Sequence, residues 1–244
     1  MMKPISIFAL LALTSFFACR APEIVLDASL NAEAMPVKGR NGLLIGQVIR
    51  YGEYKTDKVR RGWTKDYDIP FVVRFQAAKE KLSFTQFGPN YQQAEVACIS
   101  KFKSKEIELA RDFFGIPLEY QNFFAGNISF GEGRSNWDFI IHNPNGDFLR
   151  EKASAGFALN GAQRIDIEAV RGLKGQPEWM KELTVYGHEF RIGGKAVGAV
   201  STVNKGTVWI DPKLDDETRT VIAAVATGLL LRTDVEATDR SASR

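Results

Sequence analysis

The sequence predicts a mainly β protein, in which a closed antiparallel barrel of about twelve strands surrounds one hydrophobic C-terminal helix. The first observation is that strand-like segments recur at short intervals from Asn41 onward. The second is that turn residues, and not helices, separate these segments, which is atypical of a parallel α/β fold. The third is the apolar run Val221 to Leu231, which has no polar face and therefore predicts a buried helix.

The predicted helix spans residues 215–232. Asp215 and Asp216 open it and Arg232 closes it, which is the order of charge that a helix dipole favours, and either aspartate can cap the first amides. The apolar run is much shorter than the roughly 20 residues that cross a bilayer. Small residues between Ala223 and Gly228 would let strands approach closely, and Leu229 to Leu231 would fill a wider end of the barrel.

The N-terminus has the features of a secretory signal. Lys3 precedes the apolar run Ile5 to Phe17, and Ala18-Cys19 follows it. The segment Phe16 to Cys19 resembles a bacterial lipobox, which predicts a signal peptide over residues 1–18 and lipidation of Cys19. Ordinary cleavage near Ala18 or Ala21 is the alternative.

The rest of the chain divides into three parts. Residues 19–40 are mixed in composition and are predicted to be a lipid-anchored tether. Residues 41–232 form the barrel domain, and the polar residues 233–244 are predicted to be a disordered tail. The expected partner is therefore a membrane, reached through the N-terminal lipid, and the expected location is a bacterial cell envelope, at the outer membrane or a periplasmic face.

The clearest strand is 163–170, where Ile165, Ile167 and Ala169 alternate with charged residues. Asn145-Gly146 predicts a hairpin turn. Residues 104–115 fit a strand or a helix equally well. The other expected strands are 43–51, 61–64, 70–77, 81–87, 94–102, 120–130, 137–142, 148–159, 189–192, 195–203 and 207–210.

The composition restricts the partners and the chemistry. A net charge of +3 is too small to indicate nucleic acid by its field alone. If Cys19 carries lipid, Cys98 has no cysteine partner, and its apolar neighbours predict a buried and inert thiol. We expect no cofactor and no metal, because His142 and His188 stand far apart and no ligand spacing accompanies them.

No catalytic residue is predicted. His142 and His188 are interpreted as histidines at strand ends or on the surface. Asp66 and Asp68 are interpreted as a polar loop, and Asp215 with Asp216 as a helix cap, although a glycosidase pair would use the same residue type. For at least three of the four tryptophans, core packing is favoured over a sugar or lipid platform. The four are Trp63, Trp137, Trp179 and Trp209.

The closing part of the chain resembles the tubby C-terminal family in its broad sense, with the phospholipid scramblases and LURP-one-related proteins. The resemblance is carried by Phe190-Arg191-Ile192, Gly198, Lys205-Gly206, Ile210-Asp211-Pro212 and the helix from Val221, with the strand at Trp137 as an earlier match. It implies a twelve-stranded barrel around a central helix.

Some members of that family bind phosphoinositide headgroups or act at membranes. This chain lacks a scramblase-type cysteine cluster, and its basic residues do not match headgroup-binding residues one by one, so neither activity is transferred. The sequence thus predicts a non-enzymatic binding or structural module. The alternatives are a secreted hydrolase and a calycin-like carrier of a small apolar ligand.

Overall fold

The structure is a computed structural model that describes most, but not all, of the chain. The described residues are 22–40, 45–62, 80–100, 123–131, 134–142, 156–177 and 184–242. For residue 80 and residues 233–242, only the backbone is described.

The described part contains thirteen strands and one helix. The helix, α1, spans Asp216–Ala242. The strands are β1 (Met35–Pro36), β2 (Arg50–Tyr51), β3 (Tyr54–Thr56), β4 (Arg60–Arg61), β5 (Glu80–Phe87), β6 (Gln93–Ser100), β7 (Phe123–Ser129), β8 (Asn136–His142), β9 (Gly156–Leu159), β10 (Arg164–Val170), β11 (Gly187–Ile192), β12 (Lys195–Ser201) and β13 (Thr207–Ile210).

Twelve of these strands form a nearly closed antiparallel barrel. Their order is β1-β13-β12-β11-β10-β9-β8-β7-β6-β5-β3-β2, and β4 pairs with β5 beside this path. The two ends of the path meet at one bridge between Lys38 and Arg50. Each of these two amides donates to the other residue's carbonyl, at 2.8 and 3.0 Å. The bridge therefore joins the two edges that an open sheet would expose.

The helix α1 lies inside this barrel. The side chains from Val221 to Leu231 are all buried and belong to the same core as the inward-facing residues of the strands. The small residues permit close contact, since a Cβ on Gly228 would lie 3.1 Å from the Phe124 ring and one on Gly198 would lie 3.0 Å from Ile222. The predicted fold class is therefore confirmed.

The barrel has two distinct ends. We call the end where α1 begins the entry end; it carries the turns at residues 88–92 and 193–194 and the connection between β7 and β8. We call the opposite end, which α1 leaves at Arg232, the exit end. It carries the connections between β1 and β2, between β10 and β11, and between β12 and β13.

The N-terminal segment differs from its prediction. Residues 22–34, which we call the strap, cross the outside of the barrel and lead into β1 instead of forming a tether. Ile24 is buried and bridges Leu173, and Val37 reaches the core, where its amide donates to the Gly206 carbonyl at 3.1 Å. The described part of the predicted tether thus belongs to the folded domain, because Ile24 is buried on the outer face of the sheet and Val37 in the barrel core. Neither residue lies in a helical or strand pattern of apolar residues.

The last helix also differs from its prediction. It does not end at Arg232 but continues to Ala242, through most of the segment predicted to be a disordered tail. Within the described residues, no helix is long and apolar enough to cross a bilayer.

Most strand predictions that fall on described residues are confirmed, including 163–170 with Ile165 and Ile167 facing inward. The expected strand 43–51 is shorter, because Gly46 has a φ of +66° and pairing begins at Arg50. The segment 104–115, the strand 70–77 and the Asn145-Gly146 turn lie outside the described residues.

Candidate functional site

A small polar network lies within the barrel, between the helix and two strands. The Tyr51 hydroxyl donates to the carbonyl of Ala223 at 2.8 Å and lies 2.8 Å from the Thr227 hydroxyl. Thr227 donates to the Gln86 side-chain oxygen at 2.9 Å, and the Gln86 amide group donates to two backbone carbonyls of neighbouring residues. Burial raises the pKa of Tyr51, so its hydroxyl stays protonated. The network holds the helix in register with β2 and β5 and is structural.

His188 lies at the exit end, on the inward face of β11. Its neighbours across the sheet are Ala169 and Val200, and the ring is 2% exposed. Within the described part of the chain, neither ring nitrogen has a hydrogen-bond partner. Burial, then the positive charges of Arg232 and Arg171, lower its pKa to about 3. His188 is therefore neutral at pH 7 and has no described nucleophile to activate.

Two arginines close the exit end of the barrel. Arg232 is buried, and its guanidinium lies 5.9 Å from the centre of the Phe124 ring, within the range of a cation–π contact. Arg61, on β4, donates to the Gln47 side chain at 2.9 Å and to the Leu231 carbonyl at 3.4 Å. These contacts pack the helix where it leaves the barrel.

One arginine fixes the strap to the outside of the barrel. Arg191 forms ion pairs at 2.8 Å with Asp27 on the strap and with Glu168 and Glu189 on β10 and β11. The Asp27 amide also donates to Glu189 at 2.6 Å. Hydrogen bonds from Ser29, followed by the one from Arg191, lower the pKa of Asp27 to about 2. The strap therefore has both apolar and ionic attachments.

The acidic residues at the entry end are structural. Asp215 accepts from the Thr218 amide at 2.8 Å and from its hydroxyl at 2.7 Å, so Asp215 is the helix cap. Asp216 bonds to Asn90 and Arg219. Burial opposes ionisation of Asp215, but the Thr218 hydrogen bonds outweigh it, and its pKa is lowered.

The other predicted site residues fall into two groups. Cys19, Asp66, Asp68, Trp63 and Trp179 lie outside the described residues.

Within the described residues, Trp137 faces the core and donates its indole N–H to Glu217 at 2.8 Å, while Trp209 lies half-buried on β13. His142 ends β8. Cys98 is buried near Gly228, and burial raises its pKa. No group of three His, Cys, Asp or Glu side chains suited to a metal ion occurs among the described residues.

The sequence did not reveal a basic rim at the exit end. Its members come from separate turns, so no cluster is visible along the chain, although Lys38 and Arg40 are a local signal. Arg40 donates to the carbonyls of Thr202 and Asn204 at 3.0 and 2.8 Å, which joins two of these turns. The basic members are Lys38, Arg40, Arg171, Lys174 and Lys205.

The fold and these contacts define a class of protein: a nearly closed β-barrel whose core is its own C-terminal helix. Comparison of the chain with family models, with curated proteins and with solved structures finds no significant match.

Proposed function

We propose that this chain is a non-enzymatic lipoprotein of a bacterial cell envelope, of the tubby-like barrel type, that acts as a binding or structural module at a membrane surface. Its attachment is a lipid on Cys19. The observation that carries the proposal is the apolar run ending at Ala18-Cys19, directly before a folded barrel.

The occupied interior supports a module that works through its outer surface. A calycin-like carrier needs an empty barrel, whereas Val221 to Leu231 occupy the middle of this one. The contacts of the acidic residues at the entry end support a non-enzymatic role, because Asp215, Asp216 and Glu217 each bond to structural partners.

The start of the strap supports an attachment close to the membrane. Ile24 is already fixed on the barrel, and five extended residues span at most about 18 Å. A lipid on Cys19 would therefore hold the domain near the bilayer, and not at the end of a long tether.

The test is the variant Cys19→Ser in the full chain, produced with its own signal. We expect wild-type protein in the membrane fraction with an acyl-modified N-terminal cysteine, and Cys19→Ser in the soluble fraction. The measurement is fractionation followed by intact-mass analysis. A wild-type N-terminus that is unmodified, at or beyond residue 19, would contradict the lipoprotein proposal and favour ordinary signal cleavage.

A further inference from the structure

The beginning of the strap pairs with the connection between β10 and β11. Ile24 and Leu173 form an isolated antiparallel bridge on the outside of the barrel. Two backbone hydrogen bonds, of 2.8 and 2.9 Å, flank this bridge and join residues 23–25 to residues 172–174. An extended peptide adds to an exposed backbone edge through bonds of this kind. The strap is therefore held on the barrel in the way that a bound peptide is held.

Two side chains of the strap fit the surface beneath them. Ile24 is 1% exposed and lies against Gly187, where an added Cβ would be 3.2 Å from the Ile24 side chain. Three residues later, the Asp27 carboxylate pairs with Arg191 at 2.8 Å. The surface thus accepts an aliphatic side chain at one point and a carboxylate at another. We call its residues the strap groove, and they are Gly172, Leu173, Lys174, Gly187, Glu189 and Arg191.

The groove is held in shape by contacts that do not involve the strap. Arg191 also pairs with one carboxylate on β10 and one on β11, and it donates to the Gly194 carbonyl at 2.9 Å. The Leu173 amide donates to the Gln176 side chain at 3.0 Å, and the Gln176 amide donates back to the Leu173 carbonyl at 3.1 Å. Both binding points are therefore positioned before a peptide arrives, which lowers the cost of binding one.

The occupied groove is separate from the closure of the barrel. Residues 28–34 lie between Asp27 and β1, and none of them is buried. The barrel closes beyond them, where β1 pairs with β13 and Lys38 bridges Arg50. Ile24 and Asp27 can therefore leave the groove while β1 stays paired.

We propose that the strap groove is a recognition site for an extended peptide segment of a partner protein, and that the chain's own strap occupies the site when the partner is absent. The segment carries an aliphatic side chain and, three residues later, a carboxylate. This inference deepens the proposed function and rests on it for the choice of a binding module over a structural one. It does not depend on a lipid at Cys19.

The strap competes with the partner because it belongs to the same chain. A segment joined through a short flexible linker has an effective concentration in the millimolar range. A separate peptide with the same few contacts cannot displace it at lower concentrations. The groove is therefore closed to weak ligands and open to a partner that is abundant nearby or that makes further contacts.

The experiment measures binding of a synthetic peptide with the sequence of residues 22–31, blocked at both ends and labelled for fluorescence anisotropy. The protein is the full chain with Cys19→Ser, and the open-groove variant adds Ile24→Asp and Asp27→Ala. We expect the peptide to bind the open-groove variant about ten-fold or more tightly than the chain whose strap is intact. A peptide with Ile24→Asp should bind the open-groove variant about ten-fold or more weakly, because it loses the buried side chain.

The matched control variants exchange one arginine each on the outer face. In the open-groove variant, Arg191→Gln should weaken peptide binding by about five-fold, whereas Arg164→Gln, at an exposed ion pair outside the groove, should leave it unchanged. With a peptide that carries Asp27→Asn, Arg191→Gln should have no further effect, which completes a double-mutant cycle. Equal effects of the two arginine variants, or no binding to a folded open-groove variant, would overturn the proposal.

A second measurement needs no change to the strap. In the Cys19→Ser chain, the Val25 amide, which bonds to Gly172, should exchange its hydrogen well before the Lys38 amide, which bonds to Arg50. Equal exchange rates would show that the strap leaves only when the barrel opens, and would overturn a separately available groove. This result holds even if the open-groove variant does not fold.

Failure of this inference can be distinguished from failure of the proposed lipoprotein. Peptide binding is measured without the lipid, and lipidation is measured by the intact mass of the wild-type chain. A lipidated Cys19 with no peptide binding would remove the groove and leave the lipoprotein. A dimer of the Cys19→Ser chain that Ile24→Asp dissociates would overturn the partner protein as occupant and identify exchange of straps between two copies.

Discussion

His188 has a basic side chain that the barrel holds in its uncharged form. The ring is enclosed between β10 and β12, and Arg232 and Arg171 add positive potential. A histidine in a sequence does not reveal this state, since an exposed histidine has a pKa near 6.5. Its burial is a cost that the surrounding apolar core offsets.

Because of His188, we expect the free energy of unfolding to fall as the pH falls. The pKa of His188 is lowered from 6.5 to about 3 by folding, so below pH 6.5 the unfolded chain takes up a proton that the folded chain refuses. The contribution is fully present above pH 6.5 and is lost as pH falls towards 3. Between pH 7 and pH 5 we expect the free energy of unfolding to fall by about 2 kcal/mol from this group. Urea denaturation at the two pH values measures it.

The control variant for this prediction is His188→Leu, which keeps a similar volume and cannot titrate. Between the same pH values, the free energy of unfolding of His188→Leu should fall less than that of wild type. The difference between the two falls should be about 2 kcal/mol. Parallel losses in the two proteins would show that His188 is not held neutral.

At the scale of the element, the helix depends on its cap and on its surroundings. The amides of the first turn of α1 have no hydrogen-bond partners within the helix, so they need a capping group. Asp215 serves this role through Thr218. The strap is a second element whose position depends on surroundings, here on Arg191 and on the apolar contact of Ile24 with the sheet.

Removing the cap should destabilise the whole domain, because α1 is its core. We expect Asp215→Ala to lower the free energy of unfolding by about 0.5–2 kcal/mol, and Asp215→Asn, which keeps an acceptor, to remain close to wild type. Equilibrium unfolding by urea compares the three proteins. Equal effects from the two substitutions would assign the loss to the charge instead of the cap.

At the scale of the whole molecule, the barrel and its helix are mutually dependent. The strands bury their inward side chains on α1. In turn, the Ala223 carbonyl and the Thr227 hydroxyl of α1 form hydrogen bonds with side chains of β2 and β5. A charged side chain in the middle of the helix would have neither water nor a partner.

The sharpest test of this architecture is Val225→Asp, since Val225 is 1% exposed. Burying the carboxyl group costs several kcal/mol, against a typical total stability of about 5–15 kcal/mol. We expect soluble expression to be lost. Val25→Asp makes the same change at a half-exposed position of the strap and should leave a folded protein. A melt of Val225→Asp close to that of wild type would contradict a helix enclosed by the barrel.

The sequence by itself determined the fold class and much of the core. An apolar helix without a polar face and strands without intervening helices predicted the filled barrel, because burial follows from local periodicity and composition. The alternation at Ile165 and Ile167 and the cap at Asp215 were predictable for the same local reason.

Only the tertiary structure decided the path of the strap, the environment of His188 and the composition of the basic rim at the exit end. Each depends on contacts between residues far apart in the chain, such as Asp27 with Arg191 or Arg40 with Thr202. Ile24 and Val37 carry no periodicity, so their burial follows from the sheet they meet. The basic rim exists because neighbouring strands bring separate turns to one end of a closed barrel, which no single stretch of sequence encodes.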